Sequence, residues 1–442
     1  MSADGSPVDD YPESEDDYVG THTSPMGLVD SLTVRSEAAA AVGSLLLASG
    51  MASYRVKWAM ARTARALGLD SFVSIVTFTD ITATATLGGR YRTRVTQPDH
   101  SGVNVDHLYR TQRMVETLPD GVSAAEVYER LEKIKARGPR YSRLTNALAA
   151  GFACAAFSFL NLGGPVEMLC VFFAALIGQA VRRTCQLRHW NHLLVTLIAG
   201  VVTSACYLLL VDGLFVLGLI ASGYQAGYFA AVLFLVPGFP LITGILDLVR
   251  SDFSAGMARL AYSALIITGA AASVWVVALA SGAPITHAPG YDLPFLTVLA
   301  LRALATFVGV FGFSIIFNSP WRIALVAAAI SLLANSLRFA LSESGMPIQL
   351  ATFVATVLIG LTAYLVARAY HVPRPAISVP AVVIMIPGFT LYSAYAQFNA
   401  GEVARSSVLA FDAVQVVVAA ALGLAIAHLA SSPVWRKVVH PR

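Results

Sequence analysis

From residue 144 onward the chain is a succession of apolar segments. They lie near 144–164, 165–181, 191–210, 214–249, 254–281, 294–317, 321–341, 348–368, 375–398 and 405–430. About twenty apolar residues suffice to cross a bilayer as a helix. A bilayer core offers no water to stray amides, so a crossing segment must pair its own backbone, and helices do so. The expected fold class is a polytopic α-helical membrane protein with about ten transmembrane helices.

Charge divides the chain. Residues 1–143 hold 16 of the 30 Lys+Arg and 18 of the 26 Asp+Glu, which leaves 14 and 8 for the other 299 residues. The first 27 residues form an acidic tail expected to be disordered, residues 28–143 a small α+β cytoplasmic domain, and 431–442 a basic cytoplasmic tail. Loop charge orients the spans. Arg182, Arg183, Arg188, Arg250, Arg322, Arg368 and Arg374 fall on one side with the tail, while the loops NLGGP, VDG, SGAPITHAPGYD, SESGMP and FNAGE carry no lysine or arginine. That asymmetry places both termini in the cytoplasm. The four cysteines sit in the membrane part without CxxC spacing and read as small apolar fillers. No metal, cofactor or nucleic-acid partner is indicated.

In the soluble part, Val56, Met60, Ala64 and Leu67 recur at helical spacing after an interruption at Gly50, and Gly68 is a helix stop. FVSIVTF (72–78) reads as a strand. ITATATL and RYRTRVT, joined by Gly88-Gly89, read as a hairpin with Leu87 facing Arg90, Ala85 facing Arg92 and Ala83 facing Arg94. Arginine stems covering alanines on a wet face, or an anion site, would account for that face. Helices are expected over 104–117 and 123–137, the second opening on the capping box Ser123–Glu126. Asp99, His100, Asp106 and His107 are the candidate ligands or hydrolytic groups if the protein were instead a membrane-anchored hydrolase.

The fourth apolar segment is interrupted by Pro237-Gly238-Phe239-Pro240, and a second break, Pro387-Gly388-Phe389-Thr390, lies 150 residues later. Further landmarks recur in the same order: Pro165 with Pro320, Arg182 with Arg338, Ala258-Arg259 with Ala404-Arg405. The membrane part therefore reads as two five-helix repeats, 144–281 and 292–430. Five is odd, so the second copy is inverted. Broken helices in corresponding positions of inverted repeats are characteristic of secondary transporters. A helix N-terminus beginning at such a break presents unpaired amides, and with them partial positive charge, to a carboxylate. A packing kink is the competing explanation. On the transporter reading Pro237, Gly238, Phe239, Pro240, Pro387, Gly388, Phe389 and Thr390 are the candidate substrate-binding residues.

Ionisable groups within apolar segments point the same way. Asp412 is the preferred proton carrier or ammonium partner. Asp247 is a second candidate, or else a solvated residue pairing with Arg250. Arg302, Arg338 and Arg405 fall near outer ends where snorkelling accounts for them, with Arg302 the deepest and the candidate partner of a carboxylate or of Asp412. Gln179 and Asn335 correspond across the repeat and would bond either substrate or a neighbouring helix.

The stretch LLLASGMASYRVKWAMARTARALGL, the strands after it, the basic entry to the first span, PGFPLITGILDL and the second PGF together resemble the threonine/serine exporter family of bacterial membrane proteins, over roughly residues 28–430. The resemblance implies ten membrane helices, a cytoplasmic N-terminal domain, a place in the bacterial cytoplasmic (inner) membrane, and proton-motive-force-driven export of L-threonine and L-serine rather than enzymatic activity. It implies no residue-level mechanism and no oligomeric state. Related two-chain systems resemble dicarboxylate (succinate) exporters. Such an exporter would need additional fixed positive charge, making Arg302 essential. A channel would leave the repeated break without a role.

Overall fold

A computed structural model describes residues 26–98, 102–220, 227–281 and 293–431. Most of the acidic tail, Asp99, His100 and nearly all of the basic tail lie outside those residues. The soluble unit opens with α1 (Met26–Ala48) and α2 (Ser53–Ala66), followed by β1 (Ser71–Val76), β2 (Ile81–Leu87) and β3 (Arg90–Thr96), then α3 (Val105–Glu116) and α4 (Ala124–Lys135). The strands form an antiparallel meander in the order β1-β2-β3, with Leu87, Ala85 and Ala83 opposite Arg90, Arg92 and Arg94 as expected from the turn glycines.

On the hairpin face carrying those arginines the alanines are covered, while Arg90 and Arg94 stay exposed. Ile81, Ala83 and Ala85 are buried where β2 meets α1, and Arg92 and Arg94 both reach Glu37 on α1. Small side chains on β2 let the helix approach closely. A methyl built on Gly43 of α1 would lie 3.2 Å from Ile81 and 2.2 Å from Met60. At the start of α4, Ser123 accepts from the Glu126 amide at 3.2 Å, while the Glu126 carboxylate turns instead to Arg130. Only half of the capping box forms.

Among the described residues the membrane part holds eight helices long and apolar enough to span: α5 (Arg143–Leu160), α6 (Pro165–Leu187), α7 (His192–Val216), α10 (Phe253–Ser281), α11 (Phe295–Ile316), α12 (Trp321–Glu343), α13 (Ile348–Tyr370) and α16 (Val403–Ser431). Between α7 and α10 lie the short α8 (Tyr228–Ala231), a 3-10 turn (Leu233–Leu235) and α9 (Gly238–Val249). The two arms, Phe229–Leu235 and Gly238–Val249, meet at 58° and bring the number of spans to nine if the pair is counted as one. In the second half α14 (Arg374–Val383) and α15 (Gly388–Asn399) occupy the corresponding place. At 1.5 Å per residue a twelve-residue helix such as α9 or α15 covers only about 18 Å, so neither crosses alone.

The two halves repeat in element order, and three pairs of helices match in length. Helices α6 and α12 are each 23 residues, α9 and α15 each 12, and α10 and α16 each 29. Helix starts set the offset at 150 for α10 and α16, so Arg259 does not fall opposite Arg405, which the sequence match at 146 had aligned. The error is one helical turn, the slip that a two-residue match permits.

The soluble unit docks on one end of the bundle and touches both halves. Val105 N donates to Phe317 O at 2.9 Å, Asn318 Nδ2 to Asn104 Oδ1 at 2.8 Å, and Tyr141 Oη to Ser319 O at 2.7 Å, all at the turn between α11 and α12. On the first half, Ser53 at the start of α2 donates backbone N and Oγ to Asp247 Oδ1, each at 2.9 Å. Those contacts define a soluble-unit side and a far side of the bundle. Asp106, a candidate hydrolytic group, pairs with Arg110 and Arg140, and His107 lies 3.3 Å from Arg137 O. Both brace the entry to α5.

Candidate functional site

Proline without an amide and glycine without a side chain produce the same local turn twice. Gly238 N donates to Val236 O at 2.9 Å and Leu241 N to Pro237 O at 3.1 Å; Gly388 N donates to Ile386 O at 2.8 Å and Leu391 N to Pro387 O at 3.0 Å. Pro237 has φ −81° and ψ 60°, an inverse γ-turn, which proline's fixed φ favours. The chain reverses tightly enough to start a new helix at once.

The two breaks pack against each other. A methyl built on Gly238 would lie 2.9 Å from Val383 and 3.0 Å from Ile386, the residues leading to Pro387. One built on Gly388 would lie 2.9 Å from Leu233, just before Pro237. Each glycine seats the approach to the other break. The reciprocity brings Pro237, Gly238, Pro387 and Gly388 together in the bundle interior.

The surroundings of the two breaks differ. At the first, Phe239 is buried, its ring edge-on to Phe317 at 5.8 Å and under Gly50 of the soluble unit. Pro240 offers no amide, and Gly238 N and Leu241 N are engaged as above, so this N-terminus has little left for a ligand. At the second break, Pro387 and Thr390 line a cavity of about 220 Å³. Arg338 and Phe339 of α12, Asn161 at the far end of α5, and Asp412 of α16 complete its polar and aromatic wall. The side chain of Phe389 is outside the described residues.

Within this cavity the charges are poorly matched by protein partners. Arg338 Nη1 donates to Asn335 Oδ1 at 3.3 Å and its guanidinium lies over the Phe339 ring at 5.0 Å, but its Nε is buried with no hydrogen-bond partner among the described residues. Asp412 is half-buried, nine residues into α16, or about 14 Å along it. It accepts from Gln349 Nε2 at 3.4 Å and has no ion pair within 4.0 Å among the described residues. A buried charge without a counter-charge is costly unless something binds it.

The remaining candidates stand elsewhere. Arg302 pairs with Glu343 and stacks on Phe339, outside the cavity wall, so the arginine sharing a cavity with Asp412 is Arg338. Sequence position alone favoured Arg302 because Arg338 is nearer a helix end; the cavity that Arg338 lines is closed by residues of α5 and α16 and by the approach to Pro387. Asp247 is fully buried at the soluble-unit end of α9, about 14 Å from Gly238, and pairs with Arg259 rather than Arg250. Arg259 in turn donates to Met51 O at 2.7 Å and Thr243 Oγ1 at 3.2 Å. Asp247 and Arg259 thus fasten the soluble unit to the first half. Gln179 Nε2 donates to Asn146 Oδ1 at 2.6 Å and Asn335 Nδ2 to Thr306 Oγ1 at 2.8 Å. Both amides bond a neighbouring helix.

Eight to nine apolar spans among the described residues, two broken helices interlocked at their turns and a charged cavity at one of them define a multi-pass membrane protein with the architecture of a transporter. The family model described as "Putative threonine/serine exporter" matches residues 37–281, and that described as "Threonine/Serine exporter, ThrE" matches 302–430. The chain belongs to the threonine/serine exporter family. It is also similar to the "Probable succinate transporter subunit YjjP" of Escherichia coli (strain K12), 29% identical over 229 residues, which is 51% of this chain and 86% of that protein. The protein of the same name from Klebsiella aerogenes is 29% identical over 223 residues, 50% of this chain and 84% of the relative. No solved structure matches the chain.

Proposed function

We propose that this protein is a secondary exporter of small hydroxy amino acids, L-threonine and L-serine, driven by the proton-motive force. It works by alternating access of two inverted five-helix units, with both termini and the soluble unit in the cytoplasm of a bacterial cell. The carrying observation is the cavity at the second break, which presents one cation, Arg338, one anion, Asp412, and one hydroxyl, Thr390. A zwitterion bearing a hydroxyl complements that set. The substrate carboxylate meets the guanidinium, the ammonium meets the aspartate, and Thr390 bonds the side-chain hydroxyl. In the substrate's absence Asp412 carries the proton.

A dicarboxylate is the second reading, supported by the relatives named for succinate. Its second carboxylate would come close to Asp412. Two like charges 4 Å apart at an effective dielectric of 20 repel by about 4 kcal/mol, close to a thousandfold in affinity. Only a protonated Asp412 removes that penalty. A dicarboxylate would therefore bind with the proton kept on Asp412, whereas the ammonium of an amino acid takes the proton's place there, which couples export to the proton.

The test is uptake into proteoliposomes under an imposed pH gradient, with labelled threonine, serine and succinate compared side by side. Threonine and serine are expected to accumulate and compete with each other. Accumulation of succinate with no competition by threonine would reject the amino-acid reading.

A further inference from the structure

We infer that Arg182 is the counterpart of Arg338 on the soluble-unit side: a second carboxylate-binding arginine, latched in this structure onto the carbonyl of Phe234. Its ligand, the carboxylate of a small amino acid, rests on the exporter reading above. Its latch rests on geometry alone.

Helices α6 and α12 have equal length, and Arg182 and Arg338 are 156 residues apart, as are Pro165 and Trp321 where those helices begin. Three residues before each arginine stands an amide, Gln179 or Asn335, and each amide donates to the preceding helix, α5 or α11. The two constellations are built alike but set differently. Arg338 donates to its amide, Asn335 Oδ1, and faces the cavity. Arg182 donates to Phe234 O at 2.7 Å with its guanidinium 5.9 Å from the Phe234 ring centre, and Gln179 Oε1 is left buried without a hydrogen-bond partner among the described residues.

Phe234 lies three residues before Pro237. The residue three before Pro387 is Ile384, which lines the cavity that Arg338 faces. The same helix pair is therefore seen in two settings. With the arginine on the amide, a cavity stands between it and the break; with the arginine on the carbonyl, the gap is bridged. Gly178 makes the bridged form possible, since a methyl there would come within 3.0 Å of the Phe234 ring and 1.8 Å of Thr203 Oγ1. Turning Arg182 from Phe234 O to Gln179 Oε1 would satisfy the orphaned oxygen and free the guanidinium for a carboxylate. It would open on the soluble-unit side the space now present on the far side.

The experiment uses the full chain with native cysteines replaced by serine and Thr203→Cys as reporter, because Thr203 is buried against Gly178 and Phe234. A small methanethiosulfonate reagent is expected to label the thiol introduced at position 203 on the order of ten times faster when Arg182→Gln removes the latch, the loss of one charge-assisted hydrogen bond. Arg182→Lys, which keeps a donor, is expected to give a smaller rise in the same direction and serves if the glutamine variant does not fold. In proteoliposomes, Arg182→Gln is expected to raise KM for threonine on the soluble-unit side about tenfold and leave the far-side KM near wild type, with Arg338→Gln doing the reverse. Unchanged labelling, or equal KM changes on both faces, would overturn the inference. A wild-type protein that carries no threonine would remove the exporter reading, and the labelling would still decide the latch.

Discussion

At the scale of single residues, the molecule holds two kinds of intramembrane charge. Asp247 and Arg259 are fully buried and mutually paired at 3.2 Å, with Ser53, Met51 and Thr243 supplying further bonds. Arg338 and Asp412 face a cavity without such compensation. Opposite outcomes follow on substitution. Arg259→Met strands a buried carboxylate, at a cost of about 3–5 kcal/mol, and a marked fall in melting temperature in detergent is expected. The double change Asp247→Asn with Arg259→Met should recover much of that loss. Asp412→Asn, in contrast, is expected to leave the melting temperature near wild type and to abolish pH-gradient-driven export; undiminished transport would remove Asp412 from the mechanism. Of the charges in this pattern, Asp412 was legible from its depth in an apolar segment. Arg338 was not, because a long side chain near a helix end normally snorkels, and only the tertiary packing turns this one inward.

At the scale of elements, the two Pro-Gly breaks are a joint rather than two separate kinks. Gly238 and Gly388 each accept the approach to the opposite break, so a side chain at either pushes the halves apart. Gly238→Ala would press on Val383 and Ile386, branched side chains with little rotamer freedom. A destabilisation of about 1–3 kcal/mol and a loss of transport larger than the stability loss explains are expected, read by thermal melting and proteoliposome exchange. Small residues also seat α13 on α16 in the second half, where a methyl on Gly423 would lie 2.6 Å from Phe353 O. A backbone carbonyl cannot step aside as a side chain can, so Gly423→Leu is expected to prevent folding, measured as loss of the monodisperse peak in detergent.

At the scale of the whole molecule, the soluble unit is a clamp across both halves. It holds the end of α9 through Ser53 and the turn between α11 and α12 through Asn104, Val105 and Tyr141. Any rocking of one half against the other must strain or release one of these grips. Ser53→Asp would set a third carboxylate against Asp247 and Asp252, both of which now accept from Ser53. Faster amide exchange is expected in residues 50–57 and 240–252, with exchange at 104–108 unchanged, by hydrogen–deuterium measurements. If all three segments loosen together, the two grips are one cooperative unit. The soluble unit then has the leverage to gate both halves.

Apolar segment length, the strand-like runs and the Pro-Gly pairs were enough to read a polytopic helical chain with a small N-terminal sheet and two matching breaks. These are local properties, dictated by backbone pairing in a medium without water and by proline and glycine chemistry. Which break meets a cavity, which arginine faces Asp412, and that Asp247 fastens a domain were decided only in three dimensions. Each depends on side chains 50 to 200 residues apart, such as Ser53 with Asp247 or Arg182 with Phe234. A helical face recognises its neighbour by shape and by the polar groups left over after packing, and neither is written in the spacing of a single segment.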